Sequence, residues 1–320
     1  MNTLGWLIKR EYWEHRGGML WTPIWVGVAT LAITLIGIIS AEVLGGRVQT
    51  GGLQWSMLTR SLGADDLAKA GAGLDVTYLM IIGLLGITLF FVLFFYLLGT
   101  LYDDRRDRSV LFWKSLPVSD SSSVLAKVLV ATLLAPLLSF AVATVIYIAL
   151  IVLMSVWIGV HGVNPWPAIA ASNPIGIAGR ILMIIPVNAL WALPCVGWLL
   201  LCSAWARSKP FLWAALVPLI ALVANAWSGM LGLPHLTTAT MLKHGVGRIL
   251  FSILPGSFWS GGTELNLSDS QQPGELLHQL DPSVSWQVMG TLEMWIGVVV
   301  GIGLIVLAGW MRQRRIETST

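Results

Sequence analysis

Long uncharged apolar runs alternate with short polar stretches along this chain. A bilayer core of about 30 Å needs roughly 20 apolar residues in helix. Six runs reach or approach that length: Leu20–Ala41, Tyr78–Leu101, Val128–Trp157, Ile181–Ala206, Phe211–Gly229 and Met294–Met311. The pattern predicts an all-α polytopic membrane protein, a single transmembrane unit over residues 1–320. Pro23 suits the first turn of the first span. The third run is long: either part of it lies in the interface or Pro136 kinks it. Pro186 and Pro194 predict irregularity in the fourth.

Between the runs, Gly5–Gly18 reads as an amphipathic helix lying on the membrane surface, with Trp6, Lys9, Arg10, Trp13 and Arg16 mixing aromatic and basic groups. Ordinary basic flanking sequence is the alternative. Leu53, Trp55, Leu58 and Leu62 give the Glu42–Thr77 loop a short amphipathic piece. His161–Gly179 reads as irregular. In Met230–Glu293, the apolar stretch Thr240–Trp259 is too short to span and reads as a re-entrant or interfacial helix. Ser260–Ser285 is polar and turn-rich, and Asn266-Leu267-Ser268 is a glycosylation triplet of a kind common by chance. Gly297 and Gly301 form a small face for close helix approach, within the chain or between subunits.

Composition agrees: 56% of the 320 residues are hydrophobic and only 11% charged, against about 25% charged in soluble domains. The pI of about 9.0 reflects basic loops rather than a nucleic-acid surface, since no Lys/Arg stripe is present. Cys195 and Cys202 fall in one apolar run and read as packing residues. The first run is too long for a signal-peptide core and reads as a retained span.

Charge sets the orientation. Lys9, Arg10, Arg16, Arg105, Arg106, Arg108, Lys114, Lys127, Arg207, Lys209, Arg312, Arg314 and Arg315 fall on one side. Only Arg47, Arg60, Lys69, Arg180, Lys243 and Arg248 fall on the other, in longer loops. Both termini are therefore expected in the cytoplasm. No Lys, Arg, Asp or Glu lies inside the six runs, which argues against a proton- or sodium-driven transporter.

No phosphate-binding loop, zinc-protease motif or nucleophile elbow is present. His15, His161, His235, His244 and His278 are scattered. No catalytic, cofactor-binding or metal site is expected in this chain. Asn188 and Asn225 are the most polar span residues, and they either hydrogen-bond between helices or line a substrate route.

Residues 103–127 break the apolar pattern most sharply: DDRRDRSVLFWKSLPVSDSSSVLAK. Asp103–Ser115 reads as a helix opened by Asp103 and Asp104 at its positive end, with an Asp104–Arg108 pair one turn apart. Val110, Phe112 and Trp113 offer an anchor, and Ser119 or Asp120 can cap the third span. A solvated loop that only sets topology is the alternative reading.

Leu7-Ile-Lys-Arg-Glu-Tyr-Trp-Glu14 before the first span, Asp104-Arg105-Arg106-Asp107-Arg108-Ser109, and Lys114-Ser-Leu-Pro-Val-Ser119 with Lys127 resemble the type-2 ABC transporter permeases. The resemblance implies six spans, cytoplasmic termini, an interfacial N-terminal helix (here with Lys9, Arg10, Glu11, Trp13 and Glu14) and a coupling helix between spans 2 and 3. In that family the coupling helix docks on a nucleotide-binding subunit. Here its contact residues would be Asp103, Asp104, Arg105, Arg106, Asp107, Arg108, Val110, Phe112, Trp113 and Lys114. ATP and Mg would belong to the partner ATPase. The permease would act as a homodimer or heterodimer in a bacterial inner membrane, exporting a substrate the sequence does not specify. A non-transport scaffold, a channel and a secondary transporter are the competing classes.

Overall fold

A computed structural model describes residues 3–45, 64–106, 119–257 and 282–317. Among them only helices, turns and bends occur, with no strand. Six helices are long and apolar enough to cross a membrane: Thr3–Ser40, Asp65–Arg106, Asp120–Val160, Trp166–Trp191, Pro210–Met230 and Leu292–Arg314. Each overlaps one predicted run.

The first begins with α1 (Thr3–Arg16), which bends at His15 and passes through a wide π-turn, Gly17–Trp21, into α2 (Thr22–Gly45). The 43-residue α3 (Ala64–Arg106) follows. Ser119 caps α4 (Asp120–Leu129), accepting the Ser122 N–H at 3.2 Å. A second π-turn, Val130–Leu134, leads into α5 (Ala135–Val160). Both π-turns end two residues before a proline, Pro23 and Pro136. Proline has no N–H to donate and crowds the carbonyl four residues back, so the backbone widens there rather than breaking.

The stretch predicted to be irregular between spans 3 and 4 contains α6 (Trp166–Ala171), and α7 (Pro174–Trp191) follows at once. What holds it is α3, which starts 14 residues earlier than the predicted run. Gly71 of α3 sits where a Cβ would lie 2.6 Å from the Ala171 carbonyl carbon. One turn on, Asp75 accepts the Asn173 N–H at 2.9 Å. Asn173 in turn caps α7 by accepting from Gly176. Leu53, Trp55, Leu58 and Leu62 lie outside the described residues.

The fourth predicted run is split at Ala192 into α7 and α8 (Leu193–Trp205). Pro194 in the first turn of α8 supplies the cause, whereas α7 continues through Pro186. α8 is the centre of the molecule. Cys195, Val196, Leu199, Leu200, Cys202, Ser203 and Ala204 are all buried, and both thiols are free. The last long helix, α12 (Leu292–Glu317), crosses α8 at backbone contact. A Cβ on Gly197 would meet the Gly301 carbonyl oxygen at 2.6 Å, and one on Gly301 would meet the Leu193 backbone at 2.5 Å. The small face at Gly301 is thus used within the chain.

α9 (Pro210–Met230) and α2 lie at the periphery with broad apolar faces exposed. After α9, a helical segment runs from Thr238 through a third π-turn to α10 (Gly247–Phe251) and packs against α8, where the Cys195 thiol donates to the Leu250 carbonyl at 3.3 Å. It is too short to span. The glycosylation triplet lies outside the described residues, and α11 (Pro282–Gln287) resumes before α12.

Candidate functional site

Charged side chains from four helices meet in one buried cluster. Glu11 of α1 and Lys127 of α4 are each 2% exposed. Lys127 Nζ donates to Glu11 Oε1 at 3.0 Å and to Thr100 Oγ1 of α3 at 2.6 Å. It lies 3.6 Å from Asp104 Oδ2. Tyr96 donates its hydroxyl to the other Glu11 oxygen at 3.0 Å, and Arg10 reaches Glu11 Oε1 at 3.1 Å. His15 stands edge-on to Tyr96 and 3.9 Å from Glu11 Oε2. Burying one unpaired charge costs several kcal/mol, roughly, so such groups are kept only in compensated sets. Burial pushes the Glu11 carboxyl up, but Lys127, Arg10 and His15 outweigh it and hold it below its ordinary value. Glu11 stays ionised, ahead of the first apolar run.

The cluster continues to α12. Arg312, 4% exposed, lies 3.6 Å from Asp104 Oδ2 and 3.6 Å from Asp120 Oδ1. The signs alternate along the path: Asp120, Arg312, Asp104, Lys127, Glu11, Arg10, Glu14. Asp104 and Asp120 stand on either side of residues 107–118 in the chain.

Arg105 fastens the same region from another direction. It donates to the Ser203 and Ala206 carbonyls at the end of α8. The Ser203 hydroxyl lies 3.1 and 3.0 Å from the Leu101 and Tyr102 N–H groups, from which it accepts.

These positions revise several sequence expectations. α3 runs unbroken through Arg106, so Asp103 and Asp104 sit in its last turns rather than at the start of a separate helix. Asp104 is held there by two cations, Lys127 and Arg312. Asp103 and Arg106 are exposed. Asp107, Arg108, Val110, Phe112, Trp113 and Lys114 lie outside the described residues. On α1, Trp13 and Glu14 are exposed, and Arg16 and Lys9 lie over Trp13 and Trp6 at 5.3 and 5.2 Å. Glu11 faces the opposite way, into the protein. Arg312 and the pairing of Lys127 were missed because each reads locally as a basic flank.

Asn188 and Asn225 do not come together. Asn188 is buried in α7, its Oδ1 without a hydrogen-bond partner. Asn225 pins the following loop, donating to the Leu236 carbonyl at 2.8 Å and accepting its N–H at 3.0 Å. Beside it on α9 runs an apolar groove of ≈ 570 Å³ lined by Leu219, Ile220, Val223, Ala224, Trp227 and Leu231, among others.

Another buried cation stands at the other end of α12. Arg248 of α10 lies 3.9 Å from the Trp191 ring centroid, donates to the Glu293 carbonyl at 2.7 Å and lies 3.2 Å from its carboxylate. His244 Nδ1 is 2.9 Å from the same carboxylate. Gly297 makes room: a Cβ there would lie 2.2 Å from Arg248 Nη2. Burial lowers the Arg248 pKa, and Glu293 opposes that shift. Glu293 and Arg312 are 19 residues apart, about 28 Å along a helix, close to the hydrocarbon thickness of a bilayer. Among the described residues no group of three or more His, Cys, Asp or Glu could hold a metal ion. In comparisons with known proteins, no family model, no curated protein and no solved structure matches the chain.

Proposed function

We propose that this chain is the membrane-spanning permease subunit of an ABC exporter. Its energy comes from ATP hydrolysed, with Mg, by a separate nucleotide-binding subunit. Both termini and the 107–118 segment face the cytoplasm of a bacterial cell, and the permease works as a pair in the inner membrane. This chain does no covalent chemistry.

One observation supports the reading above the others. The helix ends that bracket residues 107–118 share a single buried charge network with α1 and α12. Force applied to that segment has a continuous, low-dielectric path into four of the six candidate spans, which a loop that only sets topology does not need. The ATPase would dock on the exposed Asp103 and Arg106 and on Asp107, Arg108, Val110, Phe112, Trp113 and Lys114. The exposed apolar faces of α2 and α9 suit a second permease or an amphipathic cargo.

Arg105 is excluded from the docking test because it holds the end of α8. The full chain carrying Arg106→Ala, Asp107→Ala and Arg108→Ala together is expected to insert normally and lose its co-purifying ATPase. An undiminished complex would sink the docking assignment.

A further inference from the structure

Arg312 differs from Lys127 in how it is held. Lys127 makes hydrogen bonds of 3.0 and 2.6 Å. Both Arg312 ion pairs are 3.6 Å long, beyond hydrogen-bond reach, and its Nε and Nη1 have no hydrogen-bond partner. One guanidinium therefore stands between two carboxylates that belong to different helices, held by charge and not by directed bonds. A planar fork with several donors can shift between two carboxylates without losing either attraction. The tight half of the cluster, around Lys127, is an anchor; the loose half, around Arg312, is a joint.

α12 is placed to use such a joint. At its cytoplasm-facing end it carries Arg312, in mid-length it crosses α8 at Gly301, and at its far end Glu293 holds Arg248 of the Thr238–Phe251 segment. One continuous helix links Arg312 to the Arg248 contact.

We propose that Arg312 is a positioning residue. It clasps the end of α3 to the start of α4 through Asp104 and Asp120, and it carries their joint displacement along α12 to the Arg248–Glu293 contact on the opposite side of the membrane. The source of the displacement rests on the permease reading above; the clasp does not.

Hydrogen exchange of the full chain in lipid nanodiscs tests both parts. Without nucleotide, Arg312→Met is expected to speed exchange at least about threefold at residues 101–106 and at 120–126 together. Arg312→Lys, which keeps the charge, should restore most of the protection. Faster exchange confined to the residues around 312 would overturn the clasp. Asp120→Asn, at a half-buried position, removes one arm while leaving the Lys127 anchor intact. It should reproduce the loss at 120–126, and it decides the matter if Arg312→Met fails to fold.

With the co-purified ATPase trapped by ATP and orthovanadate, exchange at residues 292–300 is expected to change in the wild type. That change should vanish in Arg312→Met, while the ATPase stays bound and residues 101–106 still respond. An equal response at 292–300 in both proteins would overturn the transmission role. A wild-type chain that retains no ATPase contradicts the permease reading, and the nucleotide-free comparison then still decides the clasp.

Discussion

Lys127 carries the largest share of the buried charge balance. Replacing it with Met leaves Glu11 and Asp104 short of their shared cation, with a cost on the order of 3–5 kcal/mol. Pairing Lys127→Met with Glu11→Gln should recover a large part of that loss, which denaturant unfolding of the purified protein in a double-mutant cycle would reveal. Additive losses would mean the two side chains do not interact. The same pair sets a pH dependence. The folded Glu11 pKa lies below its ordinary value of 4.5, so its contribution is present above that value and disappears as pH falls through the lower folded one. Stability should therefore drop on acidification below about pH 4.5 more steeply in the wild type than in Glu11→Gln. Little of this was legible in the sequence. Glu11 and Lys127 are 116 positions apart, and each sits among charges that serve equally well as topology markers. The Ser119 cap, by contrast, was legible because it is a local device.

At the scale of helices, proline and glycine account for most departures from straight spans. The break at Ala192 was readable from Pro194. The π-turns ahead of Pro23 and Pro136 were not, because a proline announces a distortion without saying whether the backbone will kink or widen. The early start of α3 escaped the hydropathy pattern, since Gly71, Gly73 and Asp75 dilute it; contact with Ala171 and Asn173 stabilises that stretch as helix. The crossing of α8 and α12 gives a sharp test. Gly301→Leu must push apart two backbones already in contact, whereas a Cβ at Gly303 meets nothing within 4 Å. Gly301→Leu should lower thermal stability by an amount corresponding to roughly 1–3 kcal/mol or more, and Gly303→Leu should leave it nearly unchanged. Similar melting of the two variants would contradict the crossing.

At the scale of the molecule, six spans were legible from length and hydropathy alone, while the way they are fastened was not. Ion clusters stand at both ends of α12, buried around Arg312 and partly exposed around Glu293, and the helix between them is apolar. That arrangement fits a chain whose middle meets lipid. Orientation can be checked with single cysteines against the buried Cys195 and Cys202. Arg106→Cys should react with a membrane-impermeant maleimide only from the cytoplasmic side, and Trp166→Cys only from outside. The reverse pattern would invert the topology and remove residues 103–127 from any cytoplasmic ATPase.

In the proposed permease, another protein's ATP hydrolysis drives this one. The most direct measurement is ATP hydrolysis by the tagged full chain isolated from its own membranes in mild detergent. Vanadate-sensitive hydrolysis, with an ATPase subunit in equal amount to the chain, is the expected result. A chain that comes away without an ATP-hydrolysing subunit, or that alone supports ion-gradient-driven flux in liposomes, would contradict it.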